Sequence, residues 1–192
     1  PFHIGATNGT HVAMNPSTGA GIVASQIHSG DGIYYQRFNS GFEWVDSSPV
    51  RMPAGYHYWY DGFTVGMNDN NEFAFLWVSD ETTIEMAFYN ADGARVAEVV
   101  RSMPPYGGWD VFRRRHSAIP LNGENFVFGE VYNYSYGAGT EVRHFEYTPS
   151  GEFVSEGSTT HSVNEGLTIR TDGWGNAVVR DASTVMALYS YP

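Results

Sequence analysis

Residues 60–77 read YDGFTVGMNDNNEFAFLW, and residues 7–24 read TNGTHVAMNPSTGAGIVA. Set side by side without a gap, Gly9 meets Gly62, Val12 meets Val65, Met14 meets Met67 and Asn15 meets Asn68, each partner lying 53 positions further on. A fixed period of this size marks a repeat architecture. A third copy follows in residues 119–131 (IPLNGENFVFGEV), where Leu121-Asn122 answers Met67-Asn68 and Phe126-Val127-Phe128 answers Phe73-Ala74-Phe75. A fourth reads LTIRTDGWGNAVVRD over residues 167–181.

Each unit continues into a second hairpin: YYQRFNSGFEWV from Tyr34, MAFYNADGARVAEV from Met86 and VRHFEYTPSGEFVSE from Val142. Gly41, Gly93 and Gly151 take matching places in these hairpins, where a residue free to adopt positive φ closes a tight reversal. A unit is therefore four strands, a to d. The b strands, FAFLWV at 73–78 and NFVF at 125–128, are apolar at consecutive positions, so both of their faces must be covered. The d strands, ARVAEV at 94–99 and EFVSE at 152–156, alternate as water-facing edge strands do.

Four-stranded sheets, each sandwiched between neighbours and repeated about four times, describe an all-β, four-bladed β-propeller forming one domain. Its units run over residues 7–59, 60–112, 113–166 and 167–192 plus 1–6. The last unit holds only three strands, and residues 2–6 (FHIGA) precede the first a strand with nothing to pair. Their expected role is the missing outer strand of the last blade, which would close the ring. A β-sandwich is the competing architecture.

On this strand order and repeat length the chain resembles small four-bladed propellers of hemopexin-like architecture, without the hemopexin repeat motif or its disulfide between first and last blades. It also resembles the aromatic, Gly-rich repeats of bacterial extracellular propellers, as in GIYYQRFNSG at residues 32–41. The resemblance implies a broad class, a binding module for proteins, glycans or small ligands, secreted or extracellular, and carries over no particular catalytic residue. A start at Pro1 without Met fits either a trimmed precursor or a chain cut for preparation, and export is the expectation.

Composition narrows the partners. The 192 residues carry 21 Asp plus Glu against 10 basic side chains, all of them Arg, for a formal charge of −11. That balance opposes nucleic acid and anionic membrane, whose binding depends on clustered cations. No stretch is apolar over the length of a membrane-spanning helix. With no Cys there is neither a disulfide nor a thiolate metal site. The 7 His show no HExxH spacing, and the chain lacks a GxSxG elbow, a phosphate-cradling GxxxxGK and a Rossmann fingerprint. No metal or cofactor is expected. The run Asp69-Asn70-Asn71-Glu72 reads as a polar hairpin turn rather than a calcium loop.

In a propeller the d-to-a and b-to-c connections share one rim. Here they are unusual: PAGYHYWYD (53–61), PPYGGWDVFRRRH (104–116), HSVNEG (161–166), HSGDG (28–32), SDETT (79–83), YNYSYGAGT (132–140) and RDAST (180–184). The opposite turns are ordinary polar reversals. Loops released from packing carry function, so this rim is the candidate site for a carbohydrate or other small ligand. Tyr56, Tyr58, Trp59, Tyr106, Trp109 and Tyr134 offer flat faces for stacking. Arg113 and Arg115 offer guanidinium forks, with His57 and Asp31 fixing further polar groups. The alternative is an enzyme in the same pocket, a polysaccharide lyase or hydrolase or a cyclase of a hydrophobic metabolite, with His57, His116 or Glu130 moving protons. A protein-interaction scaffold is the third reading.

Overall fold

A computed structural model describes residues 7–27, 32–52, 63–80, 83–102, 111–120, 125–134, 139–161, 168–171, 176–180 and 185–190. The described secondary structure is all β. The strands are β1 (Thr7–Met14), β2 (Gly21–Ile27), β3 (Ile33–Phe38), β4 (Val50–Met52), β5 (Phe63–Met67), β6 (Phe73–Asp80), β7 (Thr83–Tyr89), β8 (Arg95–Ser102), β9 (Val111–Pro120), β10 (Phe126–Tyr134), β11 (Gly139–Tyr147), β12 (Phe153–His161), β13 (Thr168–Thr171), β14 (Asn176–Arg180) and β15 (Val185–Ser190). Sequential antiparallel pairing makes four sheets: β1–β4, β5–β8, β9–β12 and the three-stranded β13–β15. The expected closing strand, residues 2–6, lies outside the described residues.

The doubly apolar b strand explains how the sheets stack. Along β6 the side chains of Phe73, Phe75 and Trp77 bury against Ile22, Ala24, Ile33 and Tyr35 of the first sheet. Their alternates Ala74, Leu76 and Val78 bury against Phe126, Phe128, Phe145 and Tyr147 of the third. A sheet covered on both faces cannot belong to a two-layer sandwich, so that architecture is excluded. Each buried Phe contributes about 2–3 kcal/mol relative to an exposed one. The first strands of successive sheets also adjoin, β1 against β5, β5 against β9 and β9 against β13, while the outer strand β8 alternates exposed and half-buried residues.

The turns share one design and correct two expectations. At Asn39, Asn68, Asn90 and Thr148 the carbonyl of the first residue accepts from the backbone N–H three residues on, and the N–H of that first residue donates to the carbonyl four residues on. The fourth residue of the turn takes positive φ: Asn71 at 61°, Gly93 at 85°, Gly151 at 81° and, in the first unit, Phe42 at 60°. Gly41 therefore stands one residue early, and a bulky side chain occupies the slot expected to hold glycine. Side chains at the head of each turn bind its backbone, as where Asn68 Oδ1 accepts from the N–H groups of Asn70 and Glu72. The run 69–72 is thus a hairpin turn, as expected. The ungapped repeat also slips by one beyond the a strand. Met14 pairs with Gly21 but Met67 with Phe73, because the first turn is one residue longer.

Candidate ligand-binding rim

The tight turns fix which ends of the sheets lie together. Asn15, in the first turn, donates its side-chain amide to the carbonyl of Asp69 and to Asn71 Oδ1 in the corresponding turn of the second sheet. Gly93 of the second sheet sits against the Arg37 guanidinium of the first, and Gly151 of the third sits against Ala97 of the second. The turn ends of these three sheets therefore share one side, and the longer connections leave from the other.

Ladder register shows which connections these are. In the first sheet Gln26 pairs with Ile33 and Ile33 with Met52, so residues 28–31 and 53–62 depart from the same end. In the second, Phe63 pairs with Trp77, and Thr83 pairs with both Asp80 and Ser102, so 53–62, 81–82 and 103–110 attach together. In the third, Tyr134 pairs with Val111 and Gly139, which joins 103–110 and 135–138 to that end. Asp31, Tyr56, His57, Tyr58, Trp59, Tyr106 and Trp109 all fall on these segments, outside the described residues.

Two expected loops prove to be strand in their described parts. Arg113, Arg115 and His116 lie on β9, and Tyr134 ends β10, because both strands run further toward the rim than their apolar cores require. β9 stands between β5 and β13 and so belongs to the inner row of strands. Arg115 is opposite Val131 and Arg114 opposite Tyr132, which puts adjacent arginines on opposite faces. A register shift falls between Tyr132 and Tyr134 near the end of β10.

The ladder joins two residues that lie apart in sequence. Glu130 is directly opposite His116 on one side and Arg143 on the other. Positions two apart on a strand share a face, so this row follows the buried row of Phe128 and Phe145 toward the rim. The next row holds Arg114, Tyr132 and Glu141. Arg143 was not among the residues singled out from the sequence; pairing its strand with β10 would have found it. His11 on β1 was likewise not singled out; its ring lies 4.7 Å from that of Phe63 at the start of β5. Burial holds the His11 imidazole below its ordinary value, favouring the neutral form. Among the described residues no cluster of His, Asp and Glu could hold a metal ion.

One solved structure shares the fold. The chain superposes on a subtype N11 neuraminidase-like protein of a flat-faced bat isolate from Peru with a TM-score of 0.53 at 10% identity. The fold is a β-propeller. The match covers 88% of this chain and 44% of that one, so this propeller chain spans less than half the length of the solved protein. A subtype N10 neuraminidase-like protein of a little yellow-shouldered bat isolate from Guatemala aligns with a TM-score of 0.49 at 9% identity, covering 88% of this chain and 49% of that one. No family model matches the chain, and no curated protein matches it.

Proposed function

We propose that the chain is a ligand-binding propeller whose four sheets are its blades, with units 7–59, 60–112, 113–166 and 167–192 plus 1–6, and that it acts outside the cell. Its ligand is a carbohydrate or another small molecule with a flat apolar face and polar edges, held at the rim opposite the tight turns. The observation that carries this reading is convergence. The connections bearing Asp31, Tyr56, His57, Tyr58, Trp59, Tyr106 and Trp109 leave the sheets at one end, where the Arg-rich start of β9 and Tyr134 also stand. Trp59, Trp109 and Tyr58 stack on the ligand, while Arg113, Arg115 and His57 meet its polar groups.

Binding of a glycan and metabolite panel, with product detection in the same assay, tests the proposal. Trp59→Ala and Trp109→Ala each weaken binding at least tenfold and leave the melting temperature nearly unchanged. Loss of folding in both variants would assign the rings to the core and end the reading.

The register of His116 opposite Glu130 favours one second reading, an enzyme in which this pair exchanges a proton with substrate. Product formation that Glu130→Gln abolishes while binding persists would select it.

A further inference from the structure

We propose that the rim end of the seam between the first and second sheets holds a subsite, built on Gln26 and His11, for an uncharged ligand group that both donates and accepts hydrogen bonds, a hydroxyl or an amide. The subsite rests on the reading of the rim as the ligand-binding side, in which neither residue has a role so far. The repeat isolates Gln26. Counted from the turns at Asn39, Asn90 and Thr148, Gln26 opposite Ile33 corresponds to Val78 opposite Ile84 in the second sheet and to Val131 opposite Val142 in the third. Two sheets place an apolar pair where the first places an amide. Gln26 is nonetheless 5% exposed, close to the 1% of Val78, and among the described residues nothing bonds its side chain. A buried amide without a partner costs stability, so the fold gains nothing from it unless something else satisfies it.

His11 stands beside it. One row across the first sheet holds Gly9, Gln26, Ile33 and Met52, and the next toward the turns holds His11, Ala24, Tyr35 and Val50. This face is the one packed on the second sheet, where Ala24, Ile33 and Met52 meet Phe63 and Trp77. The His11 ring rests on Phe63, and among the described residues its nitrogens have no hydrogen-bond partner either. Diagonal neighbours on adjacent strands are about 7–8 Å apart, within reach of one ligand for side chains of this length. On the inner strand Gly9, opposite Gln26, contributes no side chain, and the β1 register shifts between Thr7 and Gly9. Irregular pairing of this kind recurs beside functional sites. The rim connections 28–31 and 53–62 leave from β2, which bears Gln26, and enter β5 at Phe63.

The donors and acceptors set the ligand chemistry. Gln26 offers an N–H and a carbonyl, and His11, held neutral by burial, offers one donating and one accepting nitrogen. Their complement is a neutral group with both capacities. Glu85, opposite Trp77 on the same seam, disfavours an anion, and Arg37 lies at the far turn end, paired with Asp46.

NMR titration of the 15N-labelled full chain with glucose, N-acetylglucosamine or acetate, each to about 100 mM, tests the proposal. The Gln26 side-chain amide and the His11 ring shift saturably with sugar; a response to glucose assigns the hydroxyl, and one to N-acetylglucosamine alone assigns the amide. Gln26→Val weakens that sugar at least tenfold and raises the melting temperature of the unliganded protein by about 2–4 °C, since valine fills this place in the other two sheets. His11→Phe keeps a ring on Phe63 and weakens the sugar likewise. No response of Gln26 and His11 to either sugar would overturn the subsite, as would a stronger response to acetate. So would a lower melting temperature in Gln26→Val, because the amide would then be bonded within the fold. The indole signals of Trp59 and Trp109 report the rim in the same spectra: indoles that move alone refute the subsite and spare the rim, whereas Gln26 and His11 moving alone uphold the subsite and refute stacking on those rings.

Discussion

Asn15 donates its side-chain N–H to Asn71 Oδ1 at 2.7 Å, joining the first turns of two successive sheets. The same amide nitrogen reaches the Asp69 carbonyl at 2.8 Å, and Asn15 Oδ1 accepts from the N–H groups of Ser17 and Thr18. Asn15 is fully buried, so each of these bonds replaces one that water would otherwise make.

Replacing Asn15 with Ala removes the link between the two turns and frees four part-buried hydrogen-bonding groups at once. The expected loss is about 2 kcal/mol, or a melting temperature lower by about 4–8 °C in calorimetry. Asn68→Ala removes a turn bound mostly to itself, and a cycle combining the two measures the coupling between sheets.

Gly151 and Gly19 separate backbone strain from steric contact. Both have positive φ, 81° and 79°, but a Cβ on Gly151 would lie 2.6 Å from Ala97 Cβ, whereas one on Gly19 would meet nothing within 4 Å. Gly19→Ala costs about 1 kcal/mol from the backbone alone, and Gly151→Ala costs about 2–4 kcal/mol because it also forces the second and third sheets apart. Denaturant titration of both variants decides this, and equal losses would refute the contact.

Arg37 and Asp46 set a stability limit in acid. Burial works against the Asp46 carboxylate, yet the side-chain and backbone hydrogen bonds from Arg37, together with its charge, hold the carboxyl below its ordinary value. A depressed folded value means stability fully present above the unfolded value near 4 and lost as pH falls through the folded one. Wild type should lose melting temperature between about pH 4 and 2, and Asp46→Asn should lose less over that window while starting lower at pH 7.

His11 acts at milder pH. Its imidazole, lowered by burial beside Phe63, contributes stability present above the unfolded value near 6.5 and lost as pH falls through the folded value. Melting curves from pH 7.5 to 5 should slope downward for wild type, and His11→Phe should flatten that part of the slope. An identical slope in both proteins would remove His11 from the account.

Much of this fold was legible in the chain before any coordinates. The run FAFLWV demanded cover on both faces and has it, because no alternation remains to leave one face wet. The alternation of residues 94–99 announced an outer strand, and β8 is one. Turn letters were less informative. Gly41 promised the left-handed position that Phe42 takes, since the turn counts residues from Asn39 and not from its glycine. Strand ends at the rim were also hidden, because polar runs such as 111–116 and 130–134 look like loop until a partner strand satisfies their backbone groups.

Sequence by itself determined most of the strands, their order within each unit and the repeat, because hydrophobic period and turn chemistry act over a few residues; it placed the first unit's outer strand at 42–45, where the sheet instead uses Val50–Met52. It also determined which connections carry the aromatic and Arg side chains. Only the tertiary structure decided that Glu130 stands between His116 and Arg143, and that Val12 and Met14 lie open where Val65 and Met67 are covered. Those facts depend on ladder register and on which sheet lies against which, and neither is encoded by any single stretch of chain.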